Sequence, residues 1–500
     1  MINIYTPCQQ GLILESDKAN EFPIYLYWPK DNSVIMYSTS INELLNDIRV
    51  QKPLKVSVEG LSFLLQNGVI PPPQTAYEDI YIIGLGDKGH VTTRDGKVYV
   101  SFSHQFPFIN PNRPSSINEC PDESLILEML AEATIVRTDP SKPIYLFHSA
   151  GKDSNSIALA LAEAGWQHRV QLITQKSKGK ADESEISAKI AKQLGFKHKI
   201  LHEVEKLEPD HRLAIEDYFI TAPFPCVDNV TLAYPLYAQQ LPELKGANII
   251  DGGGNDSYMM TPPSSREIKV FPLSKFTQYA SSLRSIVNSE SAFSFLIRTP
   301  AEWFGMSGLS FADAQRIFPD VRNVYPHWKR ECQLRKDWDL IDFKTSIFTS
   351  VVASEMHIRK ARNFTDSINS NLILPFANKR VAEYFGKLPE AYLFDRKSLK
   401  NKIILRNLLK QRIGLDSDAV GKMGWTYDSQ GFLKNNQVDM INSIMSCSLW
   451  NHVGLKALLD RFQNLGVKNS FHGFRSRGFI YRLYLISMWH NQNKYLTDNR

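Results

Sequence analysis

Cysteine is scarce and scattered in this chain. The five cysteines, Cys8, Cys120, Cys226, Cys332 and Cys447, are odd in number and far apart, and no two form a CxxC pair. That argues against a disulfide framework and against a zinc or iron–sulfur centre built on paired thiolates. No run of about 18 apolar residues occurs, so no membrane-spanning helix is expected. The start, Met1-Ile-Asn-Ile-Tyr-Thr-Pro7, lacks the basic segment and apolar run of a secretory signal. The expectation is a cytoplasmic protein without a membrane partner. There is no internal repeat and no low-complexity tract. Neither sign of charge is in large excess: 58 basic against 52 acidic residues give +6 over 500 positions. This mild basic bias suits anionic small ligands such as nucleotides and does not demand nucleic acid.

Five hundred residues exceed one ordinary core, and about two or three domains are expected. Residues 1–113 read as short strands and turns. Phe22–Trp28 and Ser33–Ser38 suggest a hairpin, Val56–Gly68 a helix ended by Asn67-Gly68, and the stretches after Asp79 a β-meander with a turn at Asp95-Gly96. Gln105–Ser116 holds three prolines and reads as a linker. From 114 to 500 the chain first alternates strands with helices, which predicts an α/β fold with a parallel sheet covered on both faces. From Lys269 onward it turns mostly helical. The C-terminal Phe471-His-Gly-Phe-Arg-Ser-Arg-Gly-Phe479 interleaves basic and aromatic residues, as an RNA contact does, or a helix start packing on the core.

Two loops carry chemistry. Ile144-Tyr-Leu-Phe147 reads as a buried strand, and Ser149-Ala-Gly-Lys-Asp-Ser154 follows it into a helix. A strand, a small-residue turn and a helix N-terminus present converging N–H groups and the positive end of the helix dipole, a phosphate site. Ser149 and Ser154 add hydroxyls, and Asp153 has the charge for Mg²⁺ beside the phosphate. The second loop, Asp251-Gly-Gly-Gly-Asn-Asp-Ser257, also ends an apolar strand, and its triple glycine points to a sharp bend or close approach. Asp256 offers a second carboxylate to the same metal. In parallel sheets ligands bind at such carboxyl ends. The structural alternative is a pair of plain glycine turns with Asp153 or Ser154 as an N-cap. Asp182-Glu183 favours a helix N-terminus through its charge. Lys422, in Gly421-Lys-Met-Gly-Trp425, is either a solvated surface charge or a group placed to stabilise negative charge in a transition state. His148 and His198 read as structural.

Ser149-Ala-Gly-Lys-Asp-Ser154 resembles the Ser-Gly-Gly-x-Asp-Ser loop of the ATP pyrophosphatase (PP-loop) superfamily, with Ala150 for the first glycine. From about residue 55 onward the chain resembles the asparagine synthetase family. Asp182-Glu183 with Leu194-Gly195 and His198, the Asp251–Asp256 loop, Leu374-Pro-Phe376, Leu388-Pro389, Lys402-Ile-Ile-Leu-Arg406 and Lys422-Met-Gly424 fall in family order. The resemblance implies an adenine nucleotide alpha hydrolase-like fold with a truncated, degenerate glutaminase-like α+β domain over 1–113. It implies ATP held by Ser149, Ala150, Gly151, Lys152, Asp153, Ser154, Gly252 and Gly253, and Mg²⁺ held by Asp153 and Asp256. It implies a carboxylate attacking the α-phosphorus, an acyl-adenylate and pyrophosphate, then aminolysis with loss of AMP. Lys422 matches the lysine that stabilises acyl transfer in the related β-lactam synthetases.

The departures narrow the function. Glutamine-dependent members carry a catalytic cysteine after the initiator methionine; here position 2 is Ile2, and Cys8 is not terminal. Ser257 replaces the usual glutamate. Asn371, four residues before Pro375, stands where asparagine synthetase has a glutamate implicated as base, which argues against aspartate as substrate. Members without glutaminase activity include β-lactam synthetases and lasso peptide cyclases. The expectation is an AMP-forming amide or lactam synthetase acting on a carboxylate-bearing small molecule or peptide, with a pathway partner protein and without nucleic acid. The alternatives are an ammonia-using asparagine synthase-like amidotransferase, an ATP-dependent tRNA-modifying PP-loop enzyme and a degenerate non-catalytic homologue.

Overall fold

Apolar runs at Ile144–Phe147, Val170–Lys176 and Asn248–Ile250 each end in a polar loop, and in the computed structural model they form the middle of one parallel sheet. The structure describes residues 1–9, 11–108, 121–177, 182–421 and 427–496. In chain order the described strands of three or more residues are β1 (Asn3–Tyr5), β2 (Leu12–Glu15), β3 (Ile24–Tyr27), β4 (Ile35–Ser38), β5 (Ile80–Ile83), β6 (Asp87–Arg94), β7 (Lys97–His104), β8 (Ile144–Phe147), β9 (Val170–Lys176), β10 (Lys197–His202), β11 (Asn248–Ile250) and β12 (Asn371–Ile373). The five-stranded sheet runs β10-β9-β8-β11-β12, all parallel. The order reverses between β8 and β11, where Ile144 sits opposite Asn248 and Leu146 opposite Ile250. Connections that leave in opposite directions open a crevice at the carboxyl ends of these two strands, the switch point where ligands bind in α/β sheets.

Helices cover both faces. Helix α1 is Glu123–Ile135, α2 Lys152–Glu163 and α3 Ser184–Gln193. Asp122 caps α1 by accepting from Ser124 and Leu125 N–H. One core joins Ile126, Leu130, Ile157 and Leu161 to Leu146, Leu172 and Ile250; the other side packs Tyr145, Ile173, Ile249, Tyr234 and Phe364. Burial on both faces explains why these strands are continuously apolar.

The N-terminal part is a small α+β unit of two antiparallel sheets, β1-β4-β3-β5 and β2-β6-β7. The β3–β4 hairpin and the Val58–Asn67 helix form as the sequence predicts, the helix closed by Gly68 in the left-handed region (φ 75°). The meander does not: β5 pairs with β3, while β6 and β7 pair with each other and with β2. Leu14, Leu26, Ile35, Ile83 and Val98 fill the space between the two sheets. This unit is joined to the rest through Arg359, which donates to Tyr25 Oη (2.8 Å) and Glu355 (2.6 Å), and through Arg137 to Glu21 (2.8 Å).

One helix changes in form, and the C-terminal basic and aromatic stretch takes its packing reading, a helix start on the core. The helix expected over Phe343–Arg359 is longer and distorted: Leu340–Ile347 continues through a π-helical stretch, Phe348–Ile358, into Arg359–Ser367. Phe471-His-Gly-Phe-Arg-Ser-Arg-Gly-Phe479 begins the Phe471–Gln492 helix, and Arg475 is buried over the rings of Phe295, Phe471 and Phe479, a packing role. No described helix is long and apolar enough to cross a membrane.

Candidate active site

The crevice at the switch point holds a cavity of about 230 Å³. Phe147, Ile173, Leu201 and Tyr237 form its apolar wall, and the Ser149–Ser154 and Asp251–Asp256 loops form its polar rim. The first loop leaves β8 and enters α2, with Gly151 as N-cap. Its geometry is fixed by internal bonds. Ser149 N–H donates to Ser154 Oγ (3.2 Å) and Gly151 N–H to Ser149 Oγ (3.1 Å). Ala150 N–H donates to Glu183 Oε2 (2.8 Å). The expected ring of open loop N–H groups is therefore partly closed by the loop's own acceptors. The Asp153 and Ser154 N–H groups lie ahead of the first intrahelical bond, from Asn155 N–H to Gly151 O, and so have no carbonyl partner within the helix.

Gly151 has φ −72°, so its role is space: a Cβ there would come 2.9 Å from Ser149 Oγ. In the second loop the demanding position is Gly254, at φ +112°, where a Cβ would meet Ala377 at 2.9 Å. Gly252 lets the loops touch, since a Cβ would lie 3.2 Å from Ser154 N. Gly253 N–H donates to Asp251 Oδ1 (2.8 Å).

The two aspartates meet on a cation. Lys402 Nζ donates to Asp153 Oδ2 at 2.6 Å and lies 3.0 Å from Asp256 Oδ1. Asn255 Nδ2 holds the other Asp153 oxygen at 2.6 Å. Lys402 is buried and caps the helix Ile403–Ile413 in the left-handed region (φ 59°), an unfavourable conformation for a lysine. Burial disfavours its ammonium, but the Asp153 and Asp256 carboxylates outweigh that and hold its pKa above the ordinary value. In the sequence Lys402 is only the start of the Lys402–Arg406 run, with nothing to mark a role. A lysine one residue before a helix has no local signature of this kind.

Other groups are tuned by burial. The Glu183 carboxyl is pushed up by burial, opposed by the Ala150 N–H. The Asp251 carboxyl is likewise pushed up by burial, opposed by the Gly253 N–H and Lys360. His148 is pushed down to about 4 by burial. Its tautomer follows from its neighbours. Asn155 Nδ2 donates to Ser149 O (2.9 Å) and Gly151 O (2.6 Å), so Asn155 Oδ1 accepts from His148 Nε2–H (2.9 Å). Thr174 Oγ1 donates to His148 O (2.8 Å) and accepts from His198 Nε2 (2.9 Å). Both histidines brace the loop, in line with their structural reading.

Of the sequence-predicted residues, Ser149, Gly151, Asp153, Ser154, Gly252, Gly253 and Asp256 line one cavity. Ala150 is buried and contributes its N–H to Glu183. Lys152 begins α2 and is not among the residues that line the cavity. Lys422 lies outside the described residues. Asn371 is at the wrong end of the sheet for a base. It starts β12 opposite Asn248, the first residue of β11, and its Nδ2 donates to Arg137 O (2.7 Å). The argument against aspartate drawn from Asn371 therefore falls away.

Among the described residues no group of three or more His, Cys, Asp or Glu is placed to hold a metal. The donor set that does exist is a pair of half-exposed carboxylates converging on one cationic point. That fits Mg²⁺, which takes one or two carboxylates and completes its shell with water and substrate phosphates.

The chain matches the family model described as asparagine synthase over residues 125–416, more than half of its length. No curated protein matches it. The matched segment begins within α1, spans all five strands of the parallel sheet, both cavity loops and Lys402, and ends beyond the Ile403–Ile413 helix. The chain thus belongs to the asparagine synthase family, a family of ATP-dependent amide-forming ligases.

Proposed function

We propose that this protein is an AMP-forming amide or lactam synthetase that activates a substrate carboxylate with ATP and couples it to an amine without hydrolysing glutamine. The observation that carries this reading is the Asp153–Lys402–Asp256 cluster at the mouth of an apolar cavity on the switch point. A nucleotide fits it in parts. The apolar wall of Ile173, Leu201 and Tyr237 takes the base. The start of α2 takes phosphate through N–H groups and the helix dipole. Asp153 and Asp256 would hold Mg²⁺, which when bound neutralises phosphate charge in the transition state. Lys402 keeps the two aspartates converged and adds its own positive charge beside the leaving pyrophosphate. The substrate carboxylate attacks the α-phosphorus, and pyrophosphate departs. The amine then attacks the acyl carbon and the C–O bond to AMP breaks. Lys422 is the residue assigned to stabilise charge in that second step.

Among the described residues the thiols are in keeping with a site that does not hydrolyse glutamine. Cys226, Cys332 and Cys447 are each pushed up to about 11 by burial, the opposite of an activated nucleophile. Cys8 is exposed on a turn. A carboxylate carrying its own amine, as in a peptide or natural-product precursor, suits such a site. Incubation of the purified protein with Mg-ATP and a panel of amino-carboxylates, followed by assay of AMP and pyrophosphate, tests the reading. Substrate-dependent release of both supports it; release of ADP and phosphate, or stimulation by tRNA alone, contradicts it.

A further inference from the structure

A second cavity, of about 250 Å³, lies away from the nucleotide cavity, among the helices Ser265–Thr277, Tyr325–Leu334 and Leu340–Ile347. Its floor is aromatic: Phe271 and Phe343 meet edge to face at 5.5 Å, and Trp338 lies beneath the Arg335 guanidinium. Its walls carry Lys275, Lys329 and Lys336, and no acidic residue lines it. Arg335 is neutralised by Glu331 (2.7 Å). Lys275 stands over the Phe271 ring at 4.9 Å, and among the described residues neither it nor Lys329 has a carboxylate partner. At the rim of the recess Tyr279 is 72 % exposed, and on the adjoining outer surface Phe276 is 74 % exposed, with Leu273 on the same helix. Large apolar side chains standing in water beside a cationic recess mark an interaction surface.

We propose that this surface docks a peptide segment bearing an aromatic anchor flanked by acidic residues. The recess has the volume for one aromatic side chain and the rings to receive it. Lys275 and Lys329 complement carboxylates flanking the anchor, whereas Lys336 already faces Asp337 at 4.0 Å. Tyr279 at the rim and the exposed Phe276 and Leu273 outside it extend the surface along a length of chain, which a small anion would leave bare. This anatomy, one buried anchor with an apolar and charged surround, is that of a peptide hot spot. A bilayer surface offers no anchor to fill the recess. The inference does not depend on the reading of the nucleotide cavity.

The test is selection of random heptapeptides displayed on phage against the whole protein, with the enriched sequences synthesised, labelled with fluorescein and titrated by anisotropy. The expected sequences are net acidic with one aromatic residue. Their affinity falls at least tenfold in the double variant Lys275→Glu/Lys329→Glu and is unchanged in Lys434→Glu, which lies in a different groove. Thermal melts of all variants verify folding. Enrichment of neutral or basic sequences, no enrichment, or affinity indifferent to the double variant would overturn the proposal. So would lysine-dependent binding to phosphatidylserine vesicles in the absence of selected peptides.

Discussion

Lys402 Nζ and Asp153 Oδ2 lie 2.6 Å apart although 249 positions separate them in the chain. The pair ties the start of one helix to the N-terminus of another across the cavity mouth, and Asp256 joins it at 3.0 Å. Replacing Lys402 by Met removes the ammonium that the two aspartates share. Asp153 and Asp256 retain partial exposure and rehydrate, so the loss is expected to fall below the full value for a buried pair, at about 1–3 kcal/mol. Urea denaturation measures it. Turnover of Lys402→Met is expected to fall by more than about a hundredfold, consistent with loss of a preorganised charge.

Glu183 separates two roles that a carboxylate can play. Its Oε2 accepts the Ala150 N–H at 2.8 Å, and burial raises its pKa. Glu183→Gln keeps an acceptor for that N–H, and its Mg-ATP affinity by calorimetry is expected to stay within about threefold of wild type. Glu183→Ala leaves a buried N–H without a partner, costing about 1–3 kcal/mol, and its affinity is expected to fall at least about tenfold.

Gly254 is the position where the second loop tolerates no side chain. Gly254→Ala places a Cβ at φ +112° and 2.9 Å from Ala377. Strain and overpacking together are expected to cost about 2–4 kcal/mol and to displace Asp256 from Lys402. A lowered denaturation midpoint with reduced turnover at saturating ATP checks this.

His148 gives the fold an acid-sensitive point. Its folded pKa is pushed down from 6.5 to about 4 by burial. The unfolded chain therefore takes up the proton first. The contribution is complete above pH 6.5 and is lost as pH falls toward about 4. Between pH 6.5 and pH 5 the loss is about 2 kcal/mol. The difference in denaturation free energy between wild type and His148→Phe, measured across that interval, is expected to shrink by this amount toward low pH.

The legible parts of the sequence were those whose signal is local. Ile144–Phe147 followed by Ser149–Ser154 announces a strand, turn and helix because apolar run, small residues and helical spacing adjoin. The Asp251–Ser257 loop is legible for the same reason. The strand Asn371–Ile373 is three residues long and runs into Leu374-Pro375, too short for a period to show. The family resemblance alone placed Asn371 near the chemistry, and pairing with Asn248 sets it at the opposite end of the sheet. The strands β1 and β2 were missed for similar brevity. Lys402, Asn255 and Glu183 acquire their roles only through partners brought from distant segments. No window along the chain contains both halves of those contacts.

The central claim is that Asp153, Asp256 and Lys402 serve nucleotide-dependent activation of a carboxylate. Its most direct measurement is exchange of labelled pyrophosphate into ATP, with Mg²⁺ and a panel of amino-carboxylates, by wild type and by Asp153→Asn. The account predicts exchange that depends on one class of carboxylate in wild type and falls to background in a folded Asp153→Asn. Exchange undiminished in Asp153→Asn, or ATP cleaved by wild type only to ADP and phosphate, would contradict it.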